Sequence, residues 1–460
     1  MEERYKKQEK LFGTDGIRGI PGEYPLTDGM IFKIGYSIAR LLHYKWHNFN
    51  KKKFKIAIAR DTRLSSPKIE TILVDTLTSY GVDVVLCNIV PTPALAYIVK
   101  KLSLDMGIMI SASHNRSCEN GIKFFNERGE KLSSQDEEWI EEIIFNNLVH
   151  VFYDRMPYKR SEMFYLEEAR EIYSRFLISI LADLRLTGIR VCLDCGWGAT
   201  SQIAKNVFER LEAEVFSFAD SFSGEKINET GALNPSLLRN LVLEKRADMG
   251  FAFDGDGDRV ILVDEKGKVL DGDYILAIVG RYLLEEGRLS KKTVVATQMS
   301  NYGLKEYLEK IGCRVIFTPV GDRYVWQALE RNNLNLGGEQ SGHIILRDFT
   351  SSPDALVCAL FIAKIIKERK KPLSELVQEM RKFPQVLVNI KVKEKIPFEL
   401  MPPLKESIKK AERLLGEDGR LLIRYSGTEP LVRVMVEGKD ERLIQRIAQT
   451  LAEIVEEKLG

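Results

Sequence analysis

Three aspartates alternate with two glycines at Asp254-Gly255-Asp256-Gly257-Asp258, and Arg259 follows. Carboxylates at alternate positions supply hard oxygen ligands. The glycines let the backbone bend until those oxygens meet at one point. That chemistry suits Mg²⁺ or Ca²⁺, although a solvated acidic turn has the same composition. A helix–loop–helix calcium site would use the same aspartates with Ile261 and Glu265, but it needs glycine where Arg259 stands. Its flanks would also be helical. Here Met249–Phe253 and Val260–Val263 are short apolar runs of β-formers, so the loop is predicted to join two strands.

Three further loops carry reactive or ligand-binding types. In Ile108-Met-Ile-Ser111-Ala-Ser113-His114-Asn115 an apolar strand runs into a small polar loop. A serine at such a strand end can act as a nucleophile or phosphate carrier, or simply cap the loop. Ser113 is not framed by Gly-x-Ser-x-Gly, so a hydrolase elbow is unsupported. Gly337-Gly-Glu339-Gln340-Ser341-Gly342-His343 combines backbone freedom with a carboxylate and hydrogen-bonding groups that match sugar hydroxyls. Arg424-Tyr-Ser426-Gly427-Thr428-Glu429-Pro430, with Arg433 beyond it, reads as an anion cradle of amides, hydroxyls and guanidinium groups. Taken singly, each of these is also an ordinary turn.

Together with Phe12-Gly-Thr-Asp-Gly-Ile-Arg-Gly19, these segments stand in the order found in the α-D-phosphohexomutases, and the chain resembles that family from Leu11 to its final helix. Gln340 within Gly-Glu-Gln-Ser-Gly-His, Arg433-Val-Met-Val-Glu-Gly438 and Asp61-Thr-Arg63 are similar to its phosphoglucosamine mutase branch. The resemblance implies an α/β fold: three related α/β domains and a smaller C-terminal α+β domain around a central cleft. The expected spans are 1–154 with the serine, 155–262 with the aspartate loop, 263–377 with the sugar loop, and 378–460.

It also implies an intramolecular phosphotransferase that interconverts glucosamine 6-phosphate and glucosamine 1-phosphate. Ser113 would carry the phosphoryl group and, with Asp254, Asp256 and Asp258, hold Mg²⁺. The path runs through a sugar 1,6-bisphosphate, and glucosamine or glucose 1,6-bisphosphate is the implied activator. Lys123, Arg18, His114 and His343 are the implied catalytic groups. Glu339, Ser341 and Arg259 would meet the sugar phosphate, while Arg424, Ser426, Gly427, Thr428 and Arg433 would grip the phosphate that is not reacting. The alternatives are a phosphoglucomutase or phosphomannomutase using the same machinery and, in another class, a non-catalytic sugar-phosphate-binding protein. Three departures from the family pattern stand out: Arg116 in place of proline, Asn228-Glu-Thr-Gly-Ala-Leu-Asn-Pro235, and Thr350-Ser-Ser-Pro-Asp354.

Composition narrows the partners. Lys plus Arg number 68 against 66 Asp plus Glu, which gives no basic surface for nucleic acid and no acidic tail. No apolar run reaches the roughly 18 residues a bilayer span requires, and Met1 to Lys10 lacks a signal-peptide core. A cytoplasmic enzyme with a small sugar phosphate as partner is expected, with no nucleic acid and no membrane, as a monomer or homodimer. Six cysteines do not make a disulfide scaffold, and Cys192-Leu-Asp-Cys195 reads as a buried strand end rather than half of a zinc site.

The elements that must position these loops alternate between strand and helix patterns, the signature of α/β layering. Thr27 can cap a helix carrying Ile31, Ile34, Ile38, Leu41 and Leu42 at helical spacing. Strands are predicted at 55–59, 82–87, 107–110, 190–194, 293–297 and 315–318, with helices at 68–80, 167–181 and 274–285. Gly121 is expected in a turn after Ser113. Gly196-Trp-Gly198 is expected to close a strand onto a helix, because GxG without a later glycine is a weak nucleotide signal. Beyond Pro384 the pattern becomes strands at 386–392, 420–425 and 432–437 and a closing helix from Asp440.

Overall fold

The computed structural model of the protein describes residues 10–46, 53–146, 160–181, 183–425 and 430–460. The first sheet contains β1 (Ile17–Gly19), β2 (Phe54–Arg60), β3 (Val82–Ile89), β4 (Met106–Ile110), β5 (Asn120–Asn126) and β6 (Met163–Tyr165), in the order β1-β5-β4-β2-β3-β6. The second contains β7 (Arg190–Asp194), β8 (Glu214–Phe218), β9 (Met249–Phe253), β10 (Val260–Asp264) and β11 (Val269–Leu270), in the order β11-β10-β9-β7-β8. The third contains β12 (Thr293–Thr297), β13 (Arg314–Thr318), β14 (Leu336–Gly338) and β15 (Ile344–Leu346), in the order β13-β12-β14-β15.

These three sheets share one device. A strand lies parallel to its neighbour, runs into a loop, and returns antiparallel. The pairs are β4 with β5, β9 with β10, and β14 with β15. The turns between them are the Ser113 loop, the aspartate loop and the Glu339–His343 loop. Apolar runs of period-free Ile, Val and Phe make the parallel strands, because both of their faces are covered. In the first sheet Ile56, Ile58, Ile108 and Ile110 pack with Ile31, Ile34 and Ile38 of helix Asp28–Trp46 and with Ile69, Leu73 and Leu77 of helix Ser66–Ser79. Each such buried side chain contributes about 1.5–3 kcal/mol. The first of these helices starts as predicted, since Thr27 Oγ1 accepts from the Met30 amide at 3.2 Å.

Sequence expectation and structure differ at several points. Gly121 is not in a turn but within β5, paired with Arg18 of β1, and this places Lys123 on a strand opposite Met109. The polar start of β5 hid it. The first sheet gains β6 beyond residue 154, and the second gains β11 beyond residue 262; both strands are too short to carry an alternating pattern. Helix Pro402–Leu415 was not anticipated, although Leu404, Ala411 and Leu415 form its buried stripe and prolines at its start suit the first turn.

Two compact units emerge: residues 1–299 with 315–377, and residues 300–314 with 378–460. Segment 300–314 belongs to the second unit through specific bonds. Asn301 Nδ2 donates to the Phe383 carbonyl at 3.0 Å and its Oδ1 accepts from the Phe383 amide at 2.8 Å. The Tyr302 amide donates to Glu437 at 3.0 Å. Within this unit β16 (Gln385–Lys391), β17 (Gly419–Tyr425) and β18 (Leu431–Gly438) form an antiparallel sheet in the order β16-β18-β17. Helix Glu441–Leu459 covers it with Ile444, Ile447, Leu451 and Val455, and the Asp440 carboxylate caps it at the Leu443 amide.

Candidate active site

Ser113 sits just past the end of β4 with φ +52°, a left-handed backbone that a non-glycine residue holds only when its surroundings impose it. Those surroundings are explicit. Its amide donates to Ser111 Oγ at 2.8 Å, and Ser111 Oγ donates to Asp61 Oδ2 at 2.7 Å. Arg63, with no exposed surface, spends all five N–H groups here. Nε donates to Asp61 at 2.8 Å and Nη2 to the carbonyls of Ser113 and Asn115, both at 2.9 Å. Nη1 donates to the carbonyls of Glu119, at 2.8 Å, and Arg116. The Ser113 hydroxyl, aimed by this frame, donates to Asp254 Oδ2 at 2.7 Å.

Asp254 begins the loop between β9 and β10, and its other oxygen accepts from the amides of Asp258 and Arg259, both at 3.1 Å. Burial and the neighbouring Asp258 and Asp256 carboxylates push the Asp254 carboxyl well above its usual range. Lys123, on β5, is almost wholly buried and lies 2.8 Å from Asp256, 3.0 Å from Asp258 and 2.9 Å from Asp15. Burial alone would depress this amine, but Asp15 leads the three carboxylates that hold it well above its usual value. Lys123 is therefore an ammonium, a fixed positive charge rather than a base. Asp258 feels burial as well, but Lys123 and His343 keep it below the usual carboxylate range.

The carboxylates of Asp254, Asp256 and Asp258 each offer an oxygen within 4.8 Å of the others, the one such metal-capable cluster among the described residues. Asp256 Oδ1 is buried with no hydrogen-bond partner among the described residues, a lone pair that water does not reach. Hard oxygens and an orphaned acceptor fit a divalent cation of the Mg²⁺ or Ca²⁺ type. Cys192 and Cys195 join no metal-capable cluster among the described residues. They are buried, and burial raises the Cys192 thiol to about 12.

The third loop docks onto the second through its backbone. The Val260 amide donates to the Gly342 carbonyl at 3.2 Å. Gly342 has φ +95°, and a Cβ there would lie 2.4 Å from the Val260 carbonyl, so only glycine allows the approach. Gly198 acts likewise for the second sheet: a Cβ there would strike the Gly255 carbonyl at 2.4 Å. The Gly196-Trp-Gly198 segment thus closes on the aspartate loop.

His343 bridges carboxylates, with Nδ1 2.7 Å from Glu339 and Nε2 2.9 Å from Asp258. Burial would lower the imidazole, but Asp258 foremost raises it to about 10. Arg259 Nε lies 3.0 Å from the same Nε2. A protonated ring cannot accept that bond, so this is a like-charge contact that the two carboxylates outweigh. Glu339 also accepts from the Gly321 amide at 2.9 Å, so it is not a free carboxylate. His114 is the opposite case. Burial, then Arg259 and Arg18, lower it to about 3, and Nδ1 of this neutral ring lies 3.3 Å from Ser113 Oγ.

A cavity of about 540 Å³ opens beside these loops, lined by Asp15, Arg18, His114, Arg259, Glu339, Ser341 and His343, among others. Ser113, Asp254, Asp256 and Asp258 are not among its lining residues, whereas their chain neighbours His114 and Arg259 are. Arg18 donates to Asn115 at 3.1 Å and pairs with Asp15, while its buried Nε has no partner among the described residues. In the C-terminal unit Arg424 and Arg433 stand directly opposite each other on β17 and β18. Ser426, Gly427 and Thr428 lie outside the described residues.

Sequence reasoning missed Asp15, which joins Lys123, Lys131 and Arg18, and it did not assign Arg63 or Asn228 a task. Asp15 and Arg63 lay in motifs already noted, so a charged residue bound for burial was the available signal.

Three α/β sheets that bring a serine hydroxyl against a carboxylate triad and an ammonium, in a chain that also carries an α+β module, form an enzyme for moving phosphoryl groups within a molecule. Comparison with known proteins agrees. Models of the four phosphoglucomutase/phosphomannomutase domains match in sequence order: alpha/beta/alpha domain I at residues 9–149, domain II at 165–267, domain III at 271–383 and the C-terminal domain at 387–454. The chain is 43% identical over 453 residues to the phosphoglucosamine mutase of Nitratidesulfovibrio vulgaris, covering 98% of this chain and 99% of that one. It is 42% identical to that of Syntrophus aciditrophicus, covering 98% and 100%. In fold it is similar to a phosphoglucomutase/phosphomannomutase family protein of Burkholderia thailandensis, with TM-score 0.80, 21% identity and 98% of both chains covered. The chain belongs to the phosphoglucomutase/phosphomannomutase family. It is an isomerase, an intramolecular phosphotransferase. No helix among the described residues is long and apolar enough to cross a membrane.

Proposed function

We propose that this chain interconverts glucosamine 6-phosphate and glucosamine 1-phosphate with Ser113 as the phosphoryl carrier. The observation that carries the reading is the Ser113 hydroxyl, buried in a strained turn and 2.7 Å from Asp254 within a cluster of three carboxylates and Lys123. The full-length relatives named phosphoglucosamine mutase support the choice of sugar.

In this reading the phosphoserine P–O bond breaks toward one sugar hydroxyl, giving a sugar 1,6-bisphosphate, and Ser113 Oγ regains a proton. The bisphosphate reverses, and its other phosphate returns to Ser113. Mg²⁺, held by Asp254, Asp256, Asp258 and the phosphate on Ser113, would supply positive charge to the transferring group. Lys123 adds a second, fixed positive charge for the phosphoryl oxygens. His114, a neutral ring whose Nδ1 lies 3.3 Å from Ser113 Oγ, can hydrogen-bond that oxygen during transfer. His343 has both nitrogens committed to carboxylates, so it orients Glu339 and Asp258. Arg18, Arg259, Glu339 and Ser341 line the cavity that takes the sugar phosphate. Arg424 and Arg433, with Ser426, Gly427 and Thr428, hold the non-reacting phosphate. Glucosamine or glucose 1,6-bisphosphate would charge Ser113 for the first turnover.

The test is turnover of glucosamine, glucose and mannose phosphates side by side, with peptide mapping of the phosphorylated enzyme. Phosphate should map to Ser113, and Ser113→Ala should lose turnover. Glucosamine phosphate should exceed glucose phosphate in kcat/KM by at least about tenfold, the effect of one charge-assisted hydrogen bond. Equal or better turnover of glucose or mannose phosphate would move the assignment to the phosphoglucomutase or phosphomannomutase alternative.

A further inference from the structure

Asn228 opens the segment 228–235, which runs from the region after β8 to helix Ser236–Lys245. Asn228 has φ +65°, a left-handed conformation that asparagine tolerates better than most side chains. Its own amide is tied to the Gly196 carbonyl at 3.0 Å, so its backbone is anchored to the second sheet's turn. From there the side chain reaches in two directions. Nδ2 donates to the Ser113 carbonyl at 2.8 Å and to the Asn115 carbonyl at 3.0 Å. Oδ1 accepts from the Gly255 amide at 2.8 Å.

Two carbonyls on one side and an N–H on the other leave one consistent orientation of the carboxamide. An aspartate has the right shape but turns an oxygen toward two carbonyls. A glycine has the right backbone but reaches neither loop. The carboxamide alone connects donor to one loop and acceptor to the other. Arg63 also holds the Ser113 and Asn115 carbonyls, but from the loop after β2, and its five bonds go to Asp61 and to residues 113–119 rather than to the aspartate loop.

We infer that Asn228 is a positioning residue for the phosphoryl transfer, a tie that sets the Ser113 loop against the Asp254–Asp258 loop alongside the bonds of Lys123 and Thr92 to Asp256. This rests on the proposed role of Ser113 and deepens it. The Ser113–Asp254 contact spans two sheets, so small relative shifts of the loops alter it directly. A misplacement near 1 Å at a reacting group can cost about 10²-fold in rate.

The experiment compares wild type with Asn228→Gly, Asn228→Asp and Ser113→Ala. Asn228→Gly keeps the left-handed backbone and deletes the tie. It should lower kcat by about 10- to 100-fold while KM for the sugar phosphate stays within about twofold. Asn228→Asp, the same size as the wild-type residue, should be no better. Hydrogen exchange should quicken in both 111–118 and 254–258 in Asn228→Gly, because the tie serves both loops. A purely backbone role predicts near-normal Asn228→Gly. Asn228→Gly with kcat within twofold of wild type, or with exchange altered in only one loop, overturns the inference. Ser113→Ala separates the two levels. If it retains turnover, the serine reading fails. If it is inactive while Asn228→Gly is normal, only the Asn228 inference fails.

Discussion

Replacing Arg63 by lysine tests whether the serine turn is held by its frame. The guanidinium has no exposed surface and makes five hydrogen bonds, four of them to carbonyls of residues 113–119. Lysine keeps the charge but has three donors converging on one nitrogen. At least two bonds are lost. A hydrogen bond to a charged group is worth about 1.5–3 kcal/mol net, so the loop loses about 3–6 kcal/mol of local stability. At 1.4 kcal/mol per decade, even the low end makes its opening about 10²-fold easier. Hydrogen exchange of residues 111–121 in the folded protein measures that directly, and kcat should fall with it. Arg63→Met should be worse, since it strands the buried Asp61 carboxylate at about 3–5 kcal/mol. If exchange in 111–121 and kcat both stay within twofold in folded Arg63→Lys, the reasoning is wrong.

Two other outcomes follow from the same geometry. Asp256→Asn keeps the size of a side chain whose Oδ1 is buried without a partner, but it removes the charge; metal-activated turnover should need far more Mg²⁺, and an unchanged activation curve would refute the ligand role. Asp354 caps helix Ala355–Arg369 and accepts from Tyr173 at 2.8 Å, and burial raises it to about 6. Because that value lies above the unfolded one of about 3.9, its contribution is full below pH ~3.9 and lost as pH rises through about 6. Asp354→Asn, which caps as well, should therefore gain on wild type by about 3 kcal/mol between pH 4 and 7, and a pH-independent difference in thermal midpoint would contradict this.

The loops were legible in the chain because their chemistry is local. Alternating Asp and Gly, a serine at the end of an apolar strand, and β-formers on either side of the aspartates are short-range patterns, and β9, β10 and β4 formed where they were expected. The closing helix from Asp440 was equally readable, from its cap and its period. What the chain could not declare was convergence. Ser113 and Asp254 are 141 residues apart, and Asp258 and His343 are 85 apart; each pair meets only because three sheets present their returning strands to one place. Nor could it declare which charges are buried. Resemblance alone marked Lys123; its burial against Asp15, Asp256 and Asp258 follows only once β5 pairs with β4. The opposite shifts of His114 and His343 have the same origin: identical side chains, both lowered by burial, one further lowered by two arginines and the other raised by two carboxylates. Local patterns set what each loop can do, while burial and long-range pairing decide which groups face each other, and only packing supplies those.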